Sequence, residues 1–462
     1  MAVRPTLVVE ESLASSDAAL GASATRKAAL HLIPLIALGY GTAYMDRVNI
    51  SFAALQMNRD LHFSATTYGF GAGLFFLSYA ACEVPSNLML YRFGARRWLA
   101  RIMITWGLLA IGMLFVRTPA QFYIMRFLLG MSEAGFFPGV IFYLMQWFPP
   151  ELRARTVSRF YISLPLSSAF MGLIAGALLN LDGHLSLRGW QWLFLVEGMP
   201  AVLLGIAFYF LLPDTPAHAK WLSEDERQWI FRNVHQNPSG SADHSESIVH
   251  VLLNPRVLLF GIFEVFMLMS IYGYVFIAPE FIRSITHLSI TRVGYTICAL
   301  SLIGVPSMLL GAMHSDRAHS RHHDRYRSII ACCVVMAIAV ALCGLSNSLI
   351  VVLCALVFLQ ISYFVMQGPF WALPSSLFKG RCGAACIAAV NTLGITGGFI
   401  GPYWIGMAKD LTGNYQRGLL TLSIPMLAAA GIMLYMGRQS LQSPDHKLIA
   451  PVPSLHEPHG HE

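Results

Sequence analysis

Four ionisable residues sit inside apolar segments long enough to cross hydrocarbon: Asp46 and Arg47 in the first, Arg126 and Glu133 in the fourth. A charge there costs at least ~2.5–3.5 kcal/mol, so such residues mark a path for ions or substrate. Arg126 and Glu133 are two helical turns apart and share one face, separated by roughly 10 Å along the axis. Arginine clamps a carboxylate well, because its planar fork donates two parallel hydrogen bonds and stays charged. Arg47 and Arg126 are therefore the expected substrate anchors, and Glu133 and Asp46 the expected proton carriers. Away from water a carboxyl resists ionisation and a nearby arginine favours it, so protonation can release an arginine to an incoming anion. Asp46 and Arg47 project about 100° apart on a helix, so one is expected to face a cavity while the other braces a neighbouring helix. The alternative is a set of permanent ion pairs that only orient helices.

Tyr44, Tyr79, Trp371 and Asn391 are expected to complete the cavity, since an aromatic body with one polar tip suits an organic acid. Glu83, Glu197 and Glu264 are expected to bond a neighbouring backbone or basic residue. No dense cluster of metal ligands and no nucleophile–base arrangement is readable, so no enzyme, metal or cofactor is expected. Most of the eight cysteines fall in apolar runs and read as small packing residues. His446, His456, His459 and His461 lie in a polar tail without a ligand pattern.

The elements that must position these residues are helices in a membrane. The chain of 462 residues is 56% hydrophobic, only 12% charged, and has a mean hydropathy of +0.58, too apolar for a soluble protein of this size. A helix needs about 20 residues to cross hydrocarbon. The apolar runs divide into twelve, at about 30–55, 67–91, 98–116, 120–146, 156–180, 191–212, 256–281, 289–313, 328–346, 349–372, 383–407 and 416–437. None alternates as a β-barrel strand does. The expected fold is an all-α polytopic membrane protein with twelve transmembrane helices. The first span lacks a cleavage site and is expected to remain as an anchor.

The formal net charge of +7 is spread between the spans, so no nucleic-acid partner is expected. Lysine and arginine in alternate loops set the topology. Arg92, Arg96, Arg97, Arg101, Arg153, Arg155, Arg159, Arg317, Arg321, Arg325, Arg327, Lys379 and Arg381 fall in one set, thirteen in all. Arg59, Arg117, Arg188, Arg283, Arg292, Lys409 and Arg417 make seven in the other. The richer set is expected in the cytoplasm, and both termini with it.

The longest connection, from Pro213 to about Asn254, separates six spans from six and includes the polar stretch Pro238-Ser-Gly-Ser. Ser223 followed three residues later by Glu226 has the form of a capping box and predicts a short surface helix. The expected organisation is a disordered cytoplasmic tail over 1–29, a six-helix bundle over 30–213, a cytoplasmic loop over 214–254, a second bundle over 255–438 and a disordered tail over 439–462. Two such halves suit a transporter that rocks around a midplane site.

Several stretches resemble the major facilitator superfamily, and within it the anion:cation symporter family. They are Tyr44-Met-Asp46-Arg47-Val-Asn49, Glu83-Val-Pro85-Ser-Asn87 with Arg92-Phe-Gly94-Ala-Arg96-Arg97, and Arg126-Phe-Leu-Leu-Gly130-Met-Ser-Glu133-Ala-Gly135-Phe-Phe-Pro138-Gly139. Gly368-Pro-Phe-Trp371-Ala-Leu-Pro374 and Asn391-Thr-Leu-Gly394-Ile-Thr-Gly397-Gly398-Phe-Ile-Gly401-Pro402 complete the set. The wording is most similar to bacterial carriers of tartrate, hydroxyphenylacetate and phthalate. The resemblance implies two pseudo-symmetric six-helix bundles in a bacterial cytoplasmic (inner) membrane. The chain departs from the usual pattern at Tyr91, where an acidic residue commonly precedes the first basic one, and at Ala312, where a glycine is usual. Leu164-Pro165 stands where sugar-acid carriers often place a glutamine, which implies a shorter or more aromatic carboxylate.

The expected function is proton-coupled symport of a small organic anion into the cell by alternating access, with the chain working as a monomer. Carrying one negative charge inward against 100 mV costs ~2.3 kcal/mol, which one accompanying proton cancels. Efflux by proton antiport, or a carboxylate sensor that transports nothing, are the alternatives.

Overall fold

The apolar runs fold as helices because a backbone in hydrocarbon must satisfy its own hydrogen bonds. The computed structural model describes residues 5–149, 152–153, 156, 160–236, 253–317, 322–377 and 380–442, and no strand occurs among them. Arg155, Arg159, His319, Arg321, Lys379, the Pro238 stretch and the C-terminal histidines lie outside the described residues. Among the described residues ten helices are long and apolar enough to span a membrane: Asp17–Asp60, Ala95–Phe115, Pro119–Met145, Gly189–Leu211, Pro255–Val275, Ile290–Gly311, Arg325–Leu345, Leu349–Pro374, Ala385–Thr412 and Tyr415–Ser440. Two helices fall short of that mark yet occupy the expected places, Ala65–Phe93 and the 17-residue Ser163–Leu179. They are spans 2 and 5 of the expected twelve, and the others are numbered around them.

Internal packing repeats across the two halves. Span 1 packs on spans 5 and 6, span 3 on spans 4 and 6, and span 2 on span 4. Six spans later the same pairs recur: span 7 on 11 and 12, span 9 on 10 and 12, span 8 on 10. The main joints between halves obey the same rule, span 2 with span 11 and span 5 with span 8.

One end of the assembly, opposite the one that carries the connection between halves, is closed across these joints. Asp410 of span 11 accepts hydrogen bonds from the Ala65 and Thr66 amides at 3.1 and 2.8 Å. These are orphan donors of the first turn of span 2. The Tyr68 hydroxyl donates to the Phe276 carbonyl at 2.8 Å, and Ser301 to Ser168 at 3.0 Å.

At the other end the expected disorder of the N-terminal tail is corrected over residues 17–29, which are helical. The first helix begins well before the membrane, and residues 17–29 continue span 1 onto the connection between halves. The predicted helix there runs Glu224–Ile230 with the Ser223–Glu226 capping box in place. Glu226 also accepts from Ser23 at 2.7 Å and Lys27 at 2.9 Å, and Trp229 donates to Asp17 at 3.1 Å. These contacts order a segment too polar to order itself.

Candidate functional site

Span 4 supplies two of the four charges and then stops being regular. Its helix runs Pro119–Glu133, Gly135 turns left-handed at φ +85°, and a second helix starts at Phe136. Only glycine adopts that φ without strain, so Glu133 ends a helical segment in the protein interior. Arg126 and Glu133 lie on the unbroken part, and both are fully buried.

Span 1 brings the other two. The Arg47 Nε donates to Glu133 Oε1 at 2.9 Å, and Arg47 Nη2 also reaches that oxygen. Glu133 Oε2 finds no hydrogen-bond partner among the described residues. The Arg47 guanidinium lies 5.1 Å from the Tyr79 ring centroid and 5.6 Å from that of Phe75. Tyr272, from span 7 of the other half, stands close enough to act on it as well.

The Arg126 guanidinium lies against the same Phe75 ring, 4.9 Å from its centroid. Its Nη2 donates to the Ala72 carbonyl at 3.3 Å, while Nε and Nη1 are unpartnered. The approach is close because residue 130 is glycine: a Cβ there would lie 2.1 Å from the Phe75 carbonyl oxygen. Two cations thus share one aromatic ring, an arrangement that holds them by cation–π attraction without neutralising either.

Asp46 and its neighbour Arg47 leave the helix about 100° apart, and Arg47 still lies near enough to act on the Asp46 carboxyl. Asp46 faces Arg126, Glu133 and Asn49, with one oxygen unpartnered. Tyr44 lies along the seam between halves, lining a cavity with Ser51, Pro165, Ser168, Tyr274 and Tyr363. Glu83 departs from expectation. Glu83 bonds neither backbone nor a basic residue; it accepts from Asn391 at 3.0 Å and Thr392 at 2.7 Å, joining span 2 to span 11. Trp371 donates to Gln367 of its own span at 3.2 Å and packs on Phe370. The structure therefore gathers Asp46, Arg47, Tyr79, Arg126 and Glu133 into one cluster.

This placing of paired charges within two repeated six-helix halves invites comparison with known carriers. Residues 36–402 match the family model of the Major Facilitator Superfamily. The chain belongs to that superfamily. It is a multi-pass membrane transporter and not an enzyme. An Agrobacterium vitis protein provisionally named a tartrate transporter is 39% identical over 93% of this chain and 94% of its own length. A quinolone resistance transporter of Acinetobacter baumannii is 39% identical over 87% and 92%. Among solved structures, an inward-facing bacterial homologue of the human lysosomal transporter Spinster covers 90% of this chain and 99% of its own, with a TM-score of 0.73 at 15% identity. The xylose transporter XylE of Escherichia coli covers 88% and 97%, with a TM-score of 0.69 at 16% identity. At such identities the likeness to these carriers is one of fold.

Phe75 and Tyr272 join the charge cluster without having been expected there. Each is an aromatic in an apolar run and carries no signal of its own. Phe75 could be suspected from Tyr79, one turn along the same face of span 2.

Proposed function

We propose that this transporter carries a small organic carboxylate together with protons, by symport into a bacterial cell across its cytoplasmic membrane. The observation that carries the reading is Arg126: a fully buried guanidinium with two nitrogens unpartnered beside a neutral ring. Leaving buried donors unsatisfied is costly, and the oxygens of a carboxylate are suited to meet them with charge-assisted hydrogen bonds. Arg47 forms the second half of the clamp once Glu133 lets it go. Tyr44 and Tyr79 would line the carboxylate's apolar body, and Trp371 and Asn391 would complete the cavity from the second half. Tartrate is the first candidate, given the name of the Agrobacterium vitis relative.

Coupling follows from charge neutrality. With no substrate, Glu133 holds Arg47 and Asp46 faces Arg126. When a carboxylate takes the arginines, Glu133 and Asp46 lose their counter-charges and take up protons, because an unpaired carboxylate is not tolerated in a dry site. The loaded centre is then close to neutral and can cross. The two bundles, 30–213 and 255–438, rock about it as a monomer.

The arginine-rich loops support a cytoplasmic position for both termini. The closed end, with Asp410 and Tyr68, is then periplasmic, and the arrangement is an inward-facing one. Efflux by antiport is the second reading, favoured by the quinolone resistance relative.

The test is uptake into proteoliposomes with a panel of carboxylates and quinolones under an imposed pH gradient. Symport predicts accumulation of a carboxylate when the outside is acidic. Accumulation of a quinolone only when the inside is acidic would establish antiport instead.

A further inference from the structure

Behind the arginine clamp lies a buried polar cluster that substrate binding leaves unexplained. Glu197 of span 6 is 3% exposed, and neither of its carboxyl oxygens has a hydrogen-bond partner among the described residues. Asn49 is fully buried with both amide atoms unpartnered. It sits one turn from Asp46 on the same face of span 1, which packs directly on span 6. The Asn49 amide acts on both carboxyls, though neither contact closes to an ordinary hydrogen bond. The charged group that acts on Glu197 is Asp46. Asp46 is faced in addition by Glu133 and Arg126 from span 4 and by Arg47 from its own span.

We infer that Asp46, Asn49 and Glu197 form an enclosed proton-holding site, in which Glu197 retains a proton and Asp46 exchanges one with each transport cycle. Two carboxyls in one dry pocket cannot both be charged, since like charges and desolvation act together. Asp46 has Arg126 as a counter-charge, and Glu197 has none, so the retained proton belongs on Glu197. An asparagine between them suits that division. Its carbonyl accepts from a protonated acid, and its amide nitrogen donates to a carboxylate. When substrate occupies Arg126, a proton arriving from the aqueous side forms the O–H bond on Asp46. The same bond breaks when substrate leaves and Arg126 is free again. Glu197 thereby sets the pH at which Asp46 exchanges. A packing role would instead give Glu197 a backbone or basic partner, as buried carboxyls otherwise require.

This inference rests on the proton-coupled reading above, and the experiment separates the two. Infrared spectra of the full chain in lipid are recorded at neutral pH for wild type and Glu197→Gln, with elution on gel filtration as the folding control. Glutamine has the shape of the protonated acid, so the variant is expected to fold. The expected result is loss of one protonated-carboxyl band in E197Q; an unchanged band overturns the inference whether or not the protein is a symporter. Where tartrate uptake is proton-driven in wild type, its pH midpoint is expected to shift by about one unit or more in E197Q. A pH profile that overlays wild type overturns the inference and leaves symport standing. Should E197Q not fold, Asn49→Leu removes the bridge and is expected to shift the same midpoint; an unshifted profile again overturns it.

Discussion

Arg47 gives two of its nitrogens to a single oxygen of Glu133, and the other oxygen of that carboxyl is left without a partner. A fork-to-fork pair would engage both oxygens. The one-sided contact keeps Oε2 available to a proton, and a proton there cancels the charge that holds Arg47. Under the proposed proton coupling, one event, protonation, would convert a bound guanidinium into a free one.

Glu133→Gln mimics the protonated state permanently. Arg47 would then be available to substrate at every pH, but the carrier could no longer exchange that proton. Accumulation driven by a pH gradient should fall to the level of passive equilibration, while exchange of labelled for unlabelled substrate persists. Proteoliposome counterflow measures the second and net uptake the first. Loss of both would assign Glu133 to folding or binding.

Arg126 is tested by comparing two replacements. Arg126→Ala removes the charge, and substrate exchange should disappear. Arg126→Lys keeps the charge but loses the paired donors and the flat contact with Phe75. One lost charge-assisted hydrogen bond is worth about 1.5–3 kcal/mol, or roughly tenfold to a hundredfold in affinity. The half-saturating substrate concentration should rise by that factor. Equal affinity in the lysine variant would mean that Arg126 acts as a bulk positive charge and does not grip a carboxylate.

Much of this centre could be read from residue types and spacing. Arg126 and Glu133 share a face because span 4 stays helical to Glu133, and the break at Gly135 comes just after it. The divergence of Asp46 and Arg47 follows from helix geometry alone. Partner choice could not be read, because it depends on which spans pack together. Arg47 meets Glu133 from another helix, Glu83 meets Asn391 and Thr392 from the other half, and Glu197 has no periodic signal pointing at Asp46. The order of residues 17–29 is hidden in the sequence for a related reason. Ser23 and Lys27 look like a solvated tail until Glu226, some 200 positions later, is placed beside them.

That docking has its own pH dependence. Burial acts to raise the Glu226 carboxyl, but hydrogen bonds from Lys27, the Ser223 amide and Ser23 outweigh it and hold the group at about 2. A carboxyl depressed on folding stabilises the folded form above its ordinary range, and that contribution is lost as pH falls from about 4.5 towards 2. Amide hydrogen exchange over residues 17–29 should therefore be flat between pH 5 and 8, once corrected for intrinsic rates, and accelerate below about 4. Glu226→Ala should show the fast exchange at every pH. Protection that survives in this variant would mean that Trp229 holds the segment without the carboxylate.

The closed end offers a direct handle on the alternating cycle. Asp410 caps the first turn of span 2 from span 11, so its bonds exist only while the two halves meet there. Removing a helix cap costs about 0.5–2 kcal/mol. Here the cost falls on the closed arrangement alone, so Asp410→Ala should raise the population open at that end by roughly twofold to thirtyfold. A reporter cysteine at Ile277, buried beside the Tyr68–Phe276 bond, would sense the opening. With Ile277→Cys as background, a membrane-impermeant maleimide added from that side should label the Asp410→Ala protein faster by the same factor. Saturating substrate should alter the labelling rate in both proteins if the opening belongs to the transport cycle. Equal labelling with and without the Asp410 carboxylate would show that helix packing alone keeps this end shut.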